Sequence, residues 1–335
     1  MFTVALYGVG EINKLVAREL VRRGIEIVAA IDIDPNKVGK DLGQLIGLGK
    51  DLGVTVVDYD DVLLDTQPDI VIHATGSFLD KVFDQIINSV RAGCNVISTC
   101  ETLTYPWYRY PVLARLIDEE AVKYGVTVLS TGINPGFLLD TLPSVLTLPV
   151  FEVKRIVAIR VSNAGKRRPS FRKKIGLGLP IEEVKEGLKK GELTGHVGCA
   201  ESVLLIADKL GIQPSKVIEF QEPIEAKENI EVGGIKVGEG CNLGIRSVGI
   251  AYVGNEEFIR VEFIAKLTKD EYEEIVIEGN PTLKWRSEGT PGDEGTAAIL
   301  VNLLPEVLDA PAGLITMNDL NYLANTEVMV RIGKH

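Results

Sequence analysis

A short apolar run stopped by glycine, TVALYG at residues 3–8, gives way at once to a different period. Ile12, Leu15, Val16 and Leu20 recur at helical spacing, with Arg18, Glu19, Arg22 and Arg23 mostly off that stripe. IEIVAAIDID at 25–34 then reads as a second buried strand ending in acid. Strand, glycine turn, helix, strand within this span is a βαβ unit, which joins parallel strands and so demands a sheet with helices on its faces. The alternation continues through VTVV (54–57), DIVIHATGS (69–77), CNVIST (94–99) and VTVLST (126–131). Between them, Leu79, Val82, Phe83, Ile86, Ile87 and Val90 form one helical stripe, and residues 112–124 form another. The first half is therefore expected to be a Rossmann-type, doubly wound parallel sheet.

Ligands of such sheets bind beyond the carboxyl ends of the strands, which directs attention to a few segments. In Gly8-Val9-Gly10-Glu11-Ile12-Asn13, Gly8 permits the tight turn and Gly10 lets backbone approach a pyrophosphate. The helix opening at Glu11 and Ile12 points its N–H groups at that anion. Asn13 stands where a third glycine usually sits, which is expected to keep helix and strand slightly apart. Asp32, 22 residues after Gly10, ends the next strand and would accept hydrogen bonds from adenosine ribose hydroxyls. The expected cofactor is NAD in preference, with NADP possible because Lys37 lies nearby. Ala74, Thr75 and Ser77 lie where the second half of a dinucleotide passes; Ser77 alternatively caps the following helix. Thr99 and Cys100 lead into Glu101, a carboxylate ahead of Thr102-Leu103-Thr104-Tyr105-Pro106-Trp107. Partial desolvation there would raise its pKa towards that of a useful base, unless it is a solvated loop residue. Asn134, in Thr131-Gly132-Ile133-Asn134-Pro135-Gly136-Phe137, is a ligand for nicotinamide or substrate, or a helix cap.

After Pro149 the texture changes to alternating strands at 153–165, 246–254 and 256–268, with helical stretches at 181–190 and 199–210. These predict a C-terminal α+β domain with an open, mostly antiparallel sheet. Residues 1–140 are expected to form the dinucleotide-binding domain, completed by 293–335, and 141–292 the substrate and dimerisation domain. Within 293–308 a helix is expected, and 311–320 reads as a closing turn.

The segment Lys166–Lys174 carries six cations in nine residues of a chain whose net charge is −11. It is expected to be a loop that grips a carboxylate or phosphate, or simply a solvated one. His196, between Gly195 and Gly198, is either a site residue or structural. The acidic balance disfavours nucleic acid and anionic membrane as partners. The lack of a long apolar run, the absence of a basic leader at MFTVALYGVGE, and four cysteines without a C-x-x-C pair predict a cytoplasmic protein. Three histidines are too few and scattered to suggest a metal.

Taken together, Ser98-Thr99-Cys100-Glu101 with Tyr105-Pro106, Gly132–Phe137, Lys166-Arg167-Arg168, Lys173–Gly176, Gly195–Gly198 and Gly313–Met317 resemble the 2,4-diaminopentanoate dehydrogenases and the related native amine dehydrogenases. These belong to the dihydrodipicolinate-reductase-like group, although the adjacent histidines of the reductases themselves have no counterpart here. The resemblance implies NAD(P)-linked oxidative deamination of 2,4-diaminopentanoate at C4, with Glu101 as the catalytic carboxylate and a homodimeric assembly. Asn134, Arg167, Lys173 and His196 are the candidate substrate contacts, and the basic segment the candidate carboxylate grip. Alternatives are an amine dehydrogenase acting on simple ketones or aldehydes, another amino acid dehydrogenase, and a non-catalytic NAD-sensing module.

Overall fold

The computed structural model describes residues 2–167, 169–321 and 324–325. The chain divides into two compact units, Met1–Ile133 with Gly292–His335, and Asn134–Pro291.

The first unit contains β1 (Thr3–Tyr7), α1 (Glu11–Arg23), β2 (Glu26–Ile31), α2 (Leu42–Leu45), β3 (Val56–Val57), α3 (Val62–Thr66), β4 (Ile70–His73), α4 (Leu79–Arg91), β5 (Asn95–Ser98), α5 (Pro111–Tyr124) and β6 (Thr127–Ser130). Its strands pair in parallel in the order β15-β6-β5-β4-β1-β2-β3, where β15 is Gly313–Ile315. The order reverses between β4 and β1, the position at which open α/β sheets bind ligands. Both faces are covered. On one, Val16, Ala17 and Leu20 of α1 and Leu300 and Val301 of the late helix pack on Val4, Leu6, Ile70 and Ile72. On the other, Leu79, Val82, Ile86 and Val90 of α4 and Ile117 and Ala121 of α5 meet Ala5, Val71, Val96 and Val128. The stripe read from α4 is thus the buried one, Phe83 being half-buried beside it.

In the second unit α6 (Thr141–Leu146) precedes β7 (Glu152–Asn163), α7 (Pro169–Lys174), α8 (Ile181–Lys190) and α9 (Cys199–Lys209). There follow β8 (Lys216–Glu225), the hairpin β9 (Ile230–Val232) and β10 (Ile235–Val237), β11 (Asn242–Val253), β12 (Glu256–Lys266), β13 (Tyr272–Asn280) and β14 (Leu283–Ser287). Six strands form one sheet in the order β14-β13-β7-β12-β11-β8. Its ladders are antiparallel except between β7 and β12, which run parallel. Val203, Ile206 and Ala207 of α9 lie on one face against Ile156, Val261 and Ile275.

Two expectations are corrected. The basic segment is not a loop but a 3₁₀ turn, Ala164–Lys166, followed by α7, with Pro169 supplying the fixed φ of a first helical position. Arg168 lies outside the described residues. The segment after α10 (Gly292–Asn302) and α11 (Leu304–Asp309) is not merely a turn, because β15 pairs in parallel with β6 and extends the sheet. Among the described residues, no helix is long and apolar enough to cross a membrane.

Candidate active site

The carboxyl ends of the first unit's parallel strands bring most of the sequence candidates together. Gly8 follows β1 with φ +86°, and a Cβ there would meet the Ala74 carbonyl oxygen at 2.6 Å, so only glycine fits. Gly10 instead faces open space, with nothing within 4 Å of a built Cβ. No side chain caps α1, which leaves the N–H groups around Glu11 and Ile12 to an anion.

Asn13 behaves differently from expectation. It is fully buried, and its Nδ2 donates to the carbonyls of Gly8 (2.7 Å), Ile72 (3.1 Å) and Tyr7 (3.3 Å). Rather than wedging helix from strand, the amide stitches the turn to β1 and β4.

Asp32 is engaged by the protein itself. Its Oδ2 accepts from Val9 N–H (2.7 Å) and Lys37 Nζ (2.8 Å), and Oδ1 from Asp34 N–H (2.8 Å). Burial would raise its pKa, but Lys37 and the two backbone donors outweigh that and hold it below the usual carboxylate range. Asp32 therefore shapes the glycine turn, and it presents a carboxylate already paired with an ammonium to anything bound beside it.

On the other side of the switch point, Ala74 N–H donates to the Tyr7 carbonyl and Thr99 N–H to that of His73. Thr75 is exposed. Ser77 does not cap α4; the Thr102 hydroxyl does, accepting Leu79 N–H at 2.8 Å. Cys100 is buried, and burial pushes its thiol up to about 12, so it is inert.

Glu101 begins a 3₁₀ turn, Glu101–Leu103, directly beyond β5, and is half-buried. The backbone around it is held at several points. Cys100 N–H donates to Ser98 Oγ (3.0 Å), the Ser130 hydroxyl to the Cys100 carbonyl (2.7 Å), and Thr102 N–H to the Ser77 carbonyl (3.1 Å).

Asn134 belongs to the second unit. Both ends of its buried amide lack a protein partner, as does the buried hydroxyl of Thr131 at the end of β6. A buried amide with neither donor nor acceptor satisfied is costly unless a ligand completes it. Within the first unit, the open cradle at Gly10, the uncapped α1 and the orphaned hydroxyl of Thr131 fit a dinucleotide. Thr131 escaped sequence analysis because a threonine at a strand end is common; only its orphaned burial marks it.

The remaining candidates also lie in the second unit. The His196 ring stacks on Phe263 at 4.5 Å, and its backbone N–H reaches Ser247 Oγ. Burial first, then the charges of Arg160 and Lys174, push its protonation down to about 3, so the ring is neutral. Arg160 Nε lies 3.1 Å from Glu273 Oε1, with side chains 4% and 1% exposed, and its guanidinium sits over the Phe263 ring. The signal for Arg160 was available, since an arginine in the apolar strand VAIRVSN demands a buried partner. Arg167 lies over the Phe171 ring, Lys166 pairs with Glu271, and Lys173 is exposed on α7. The basic segment is therefore partly neutralised. Among the described residues, no group of three or more His, Cys, Asp or Glu side chains could hold a metal ion.

The profile of the family described as the 2,4-diaminopentanoate dehydrogenase C-terminal domain matches residues 137–332. A 2,4-diaminopentanoate dehydrogenase from Acetoanaerobium sticklandii is 33% identical over 309 residues, covering 85% of this chain and 87% of its own. An amine dehydrogenase from Streptomyces virginiae is 24% identical, with 96% of each chain covered. The structure of an amine dehydrogenase from Mycobacterium smegmatis superposes with a TM-score of 0.86 at 26% identity, over 96% of this chain and 97% of that one.

Proposed function

Because the chain belongs to the 2,4-diaminopentanoate dehydrogenase family, we propose that it is an NAD(P)-dependent amine dehydrogenase. Its proposed substrate is 2,4-diaminopentanoate, deaminated at C4 to 2-amino-4-oxopentanoate and ammonia, with reductive amination as the reverse. The observation that carries the reading is Glu101, the carboxylate in a clamped turn at the ligand-binding end of the sheet.

When bound, the nicotinamide supplies a hydride acceptor. Gly8, Gly10, Glu11 and Ile12 would receive its pyrophosphate, Asp32 and Lys37 its adenosine ribose, and Ala74, Thr75, Ser77, Thr99 and Asn134 the rest, whereas Cys100, wholly buried, holds the turn from beneath. Glu101 takes a proton from the substrate ammonium, because a protonated amine cannot release hydride from its carbon. Having passed that proton on to solvent, the carboxylate faces the iminium carbon–nitrogen unit and stabilises its positive charge. Finally Glu101 takes a proton from the water that adds to that carbon and returns it to the amine nitrogen, so that ammonia leaves and carries off the remaining hydroxyl proton as ammonium. Per turnover, one water is consumed, and ammonium, reduced cofactor and one proton are formed. His196 serves as a neutral hydrogen-bonding ring, while Arg167 and Lys173 supply positive charge for the substrate carboxylate. NAD is the preferred cofactor; the ammonium of Lys37 beside Asp32 lets NADP compete, and Lys37→Ala should weaken NADP more than NAD in a KM comparison.

The test is NADH formation from 2,4-diaminopentanoate and from simple amines of similar size, with wild type and Glu101→Gln. Loss of the base should lower turnover by roughly 100-fold or more while NADH still binds. Turnover within a few-fold of wild type would overturn the role of Glu101. A second reading, an amine dehydrogenase for simple ketones, is favoured by the engagement of Lys166 with Glu271. It predicts equal turnover of simple amines and indifference to Arg167→Ala.

The protein is further proposed to act in the cytoplasm as a homodimer. Gly249 backs onto Cys199 of α9, so alternation places Arg246, Val248 and Ile250 on the opposite sheet face. There Phe220 is 38% exposed, and Arg246 and Arg260 pair with Glu222, Glu257 and Glu262. Val248 and Ile250 are buried beneath these pairs, and the charge-alternating face from which Phe220 protrudes suits a second copy. Light scattering on Phe220→Asp should report a monomer.

A further inference from the structure

A buried polar chain in the first unit joins the strand end carrying Thr75 to the turn carrying Glu101. At its centre is His73, the last residue of β4 and wholly buried. Its Nε2 lies 2.8 Å from Gln85 Oε1 and 2.8 Å from Thr75 Oγ1; its Nδ1 lies 2.9 Å from Ser98 Oγ. Burial pushes protonation of the ring down to about 4, so the imidazole is neutral and owns one N–H.

The partners decide where that hydrogen sits. Gln85 Oε1 can only accept, and the Thr75 hydroxyl already donates to it at 2.5 Å. Nε2 therefore carries the hydrogen, and Nδ1 must accept from the Ser98 hydroxyl. With its proton committed to His73, Ser98 turns a lone pair towards Cys100 N–H, 3.0 Å away. The other end of the Cys100 residue is fixed independently. Its carbonyl accepts the Ser130 hydroxyl at 2.7 Å, and Thr104 donates to Ser130 Oγ at 3.4 Å. The residue preceding Glu101 is thus gripped at both backbone groups, and one of those grips is oriented by the tautomer of His73.

We propose that His73 is a positioning residue: by fixing the Ser98 hydroxyl it holds the Glu101 turn in register with the Thr75 strand end, without touching substrate itself. The proposal rests on the reading of Glu101 as the base. A satisfied core histidine of purely structural value would support folding but would be indifferent to whether residue 101 carries a carboxylate, and that difference decides the matter.

The experiment measures kcat, KM for the amine, NADH affinity by fluorescence, and thermal melting for His73→Leu, His73→Asn and Ser98→Ala, each alone and combined with Glu101→Gln. His73→Leu and Ser98→Ala should lower kcat by roughly 10- to 100-fold, the scale of a small misplacement of a catalytic group, with NADH affinity and KM little changed. His73→Asn places an amide oxygen where Nδ1 stood, so it can accept from Ser98 and should recover most of the rate. In the Glu101→Gln background, His73→Leu should cost less than about twofold, because there is no carboxylate left to position. An equal loss in both backgrounds, an unchanged kcat in the single variants, or a loss that only follows the folded fraction would overturn the proposal. If His73→Leu does not fold, Ser98→Ala carries the same cycle. Failure of the Glu101 reading is separately visible, as wild-type turnover in Glu101→Gln alone, and it would remove the proposal with it.

Discussion

Replacing Asn13 by glycine would give the nucleotide turn its usual third glycine, and the structure predicts that the protein would lose stability. Two amide hydrogens of the fully buried Asn13 serve three carbonyls, at 2.7, 3.1 and 3.3 Å. Counting them as two net hydrogen bonds at about 1 kcal/mol each gives about 2 kcal/mol. Glycine is a slightly worse helix former than asparagine and adds about 0.3 kcal/mol. Against this stands Asn13 Oδ1, buried without a protein partner, whose removal returns up to about 1 kcal/mol. The balance is about 2 kcal/mol, or a melting temperature lower by roughly 4–8 °C in a unit of this size. Thermal unfolding followed by far-ultraviolet circular dichroism measures it, and an NADH titration should show weaker binding, since the stitched turn is the proposed cofactor cradle. A variant that melts at or above the wild-type temperature would refute the reasoning. It would mean that a closer approach of α1 to β1 is worth more than the stitches.

Further expectations concern buried charge. Glu273→Ala leaves the Arg160 guanidinium, only 4% exposed, without its carboxylate; the cost should be about 3–5 kcal/mol, and a drop in melting temperature under roughly 3 °C would contradict it. His73 titrates at about 4 when folded against 6.5 ordinarily, so on acidification the unfolded chain takes up that proton first. Stability held above pH 6.5 should therefore decline between pH 6.5 and 4, by roughly 3 kcal/mol for His73, with His196 acting in the same direction. A melting curve that is flat across that range would speak against both burials.

Much of the first unit was legible because parallel strands buried on both faces are continuous apolar runs, and the helices between them carry clean stripes. The position of Glu101 and of the glycine turn at strand ends was legible for a related reason: in such a sheet, strand ends are where ligands bind. What escaped depended on contacts far apart in sequence. β15 is only three residues long and begins at the glycine of Pro311-Ala312-Gly313, and only the free edge of β6 makes it a strand. β8 contains Pro223, which argues against a central strand and is tolerated because β8 lies at the sheet edge. Asn13 read as a defect, since its value lies in which carbonyls two separate strands present to it. Arg160 in its apolar strand announces a need for a buried partner, but Glu273 lies 113 residues away and nothing local names it as that partner.

The late return of β15 and α10 to the first unit has a consequence for the order in which a nascent chain can mature. A ribosome releases β1 to β6 first, yet the edge of β6 and the α1 side of the sheet are covered only once residues 292–315 have emerged. The unit Asn134–Pro291 is complete in sequence before then and can fold while its host is still waiting. Until synthesis passes Ile315, the host exposes an unpaired strand edge and the apolar residues that Leu300, Val301 and Leu304 later cover, which are surfaces that invite misassociation. A stop codon shortly after Pro291 should therefore yield a chain that is rescued by holding chaperones or lost to aggregates, even though β1 to β6 and the glycine turn are already present.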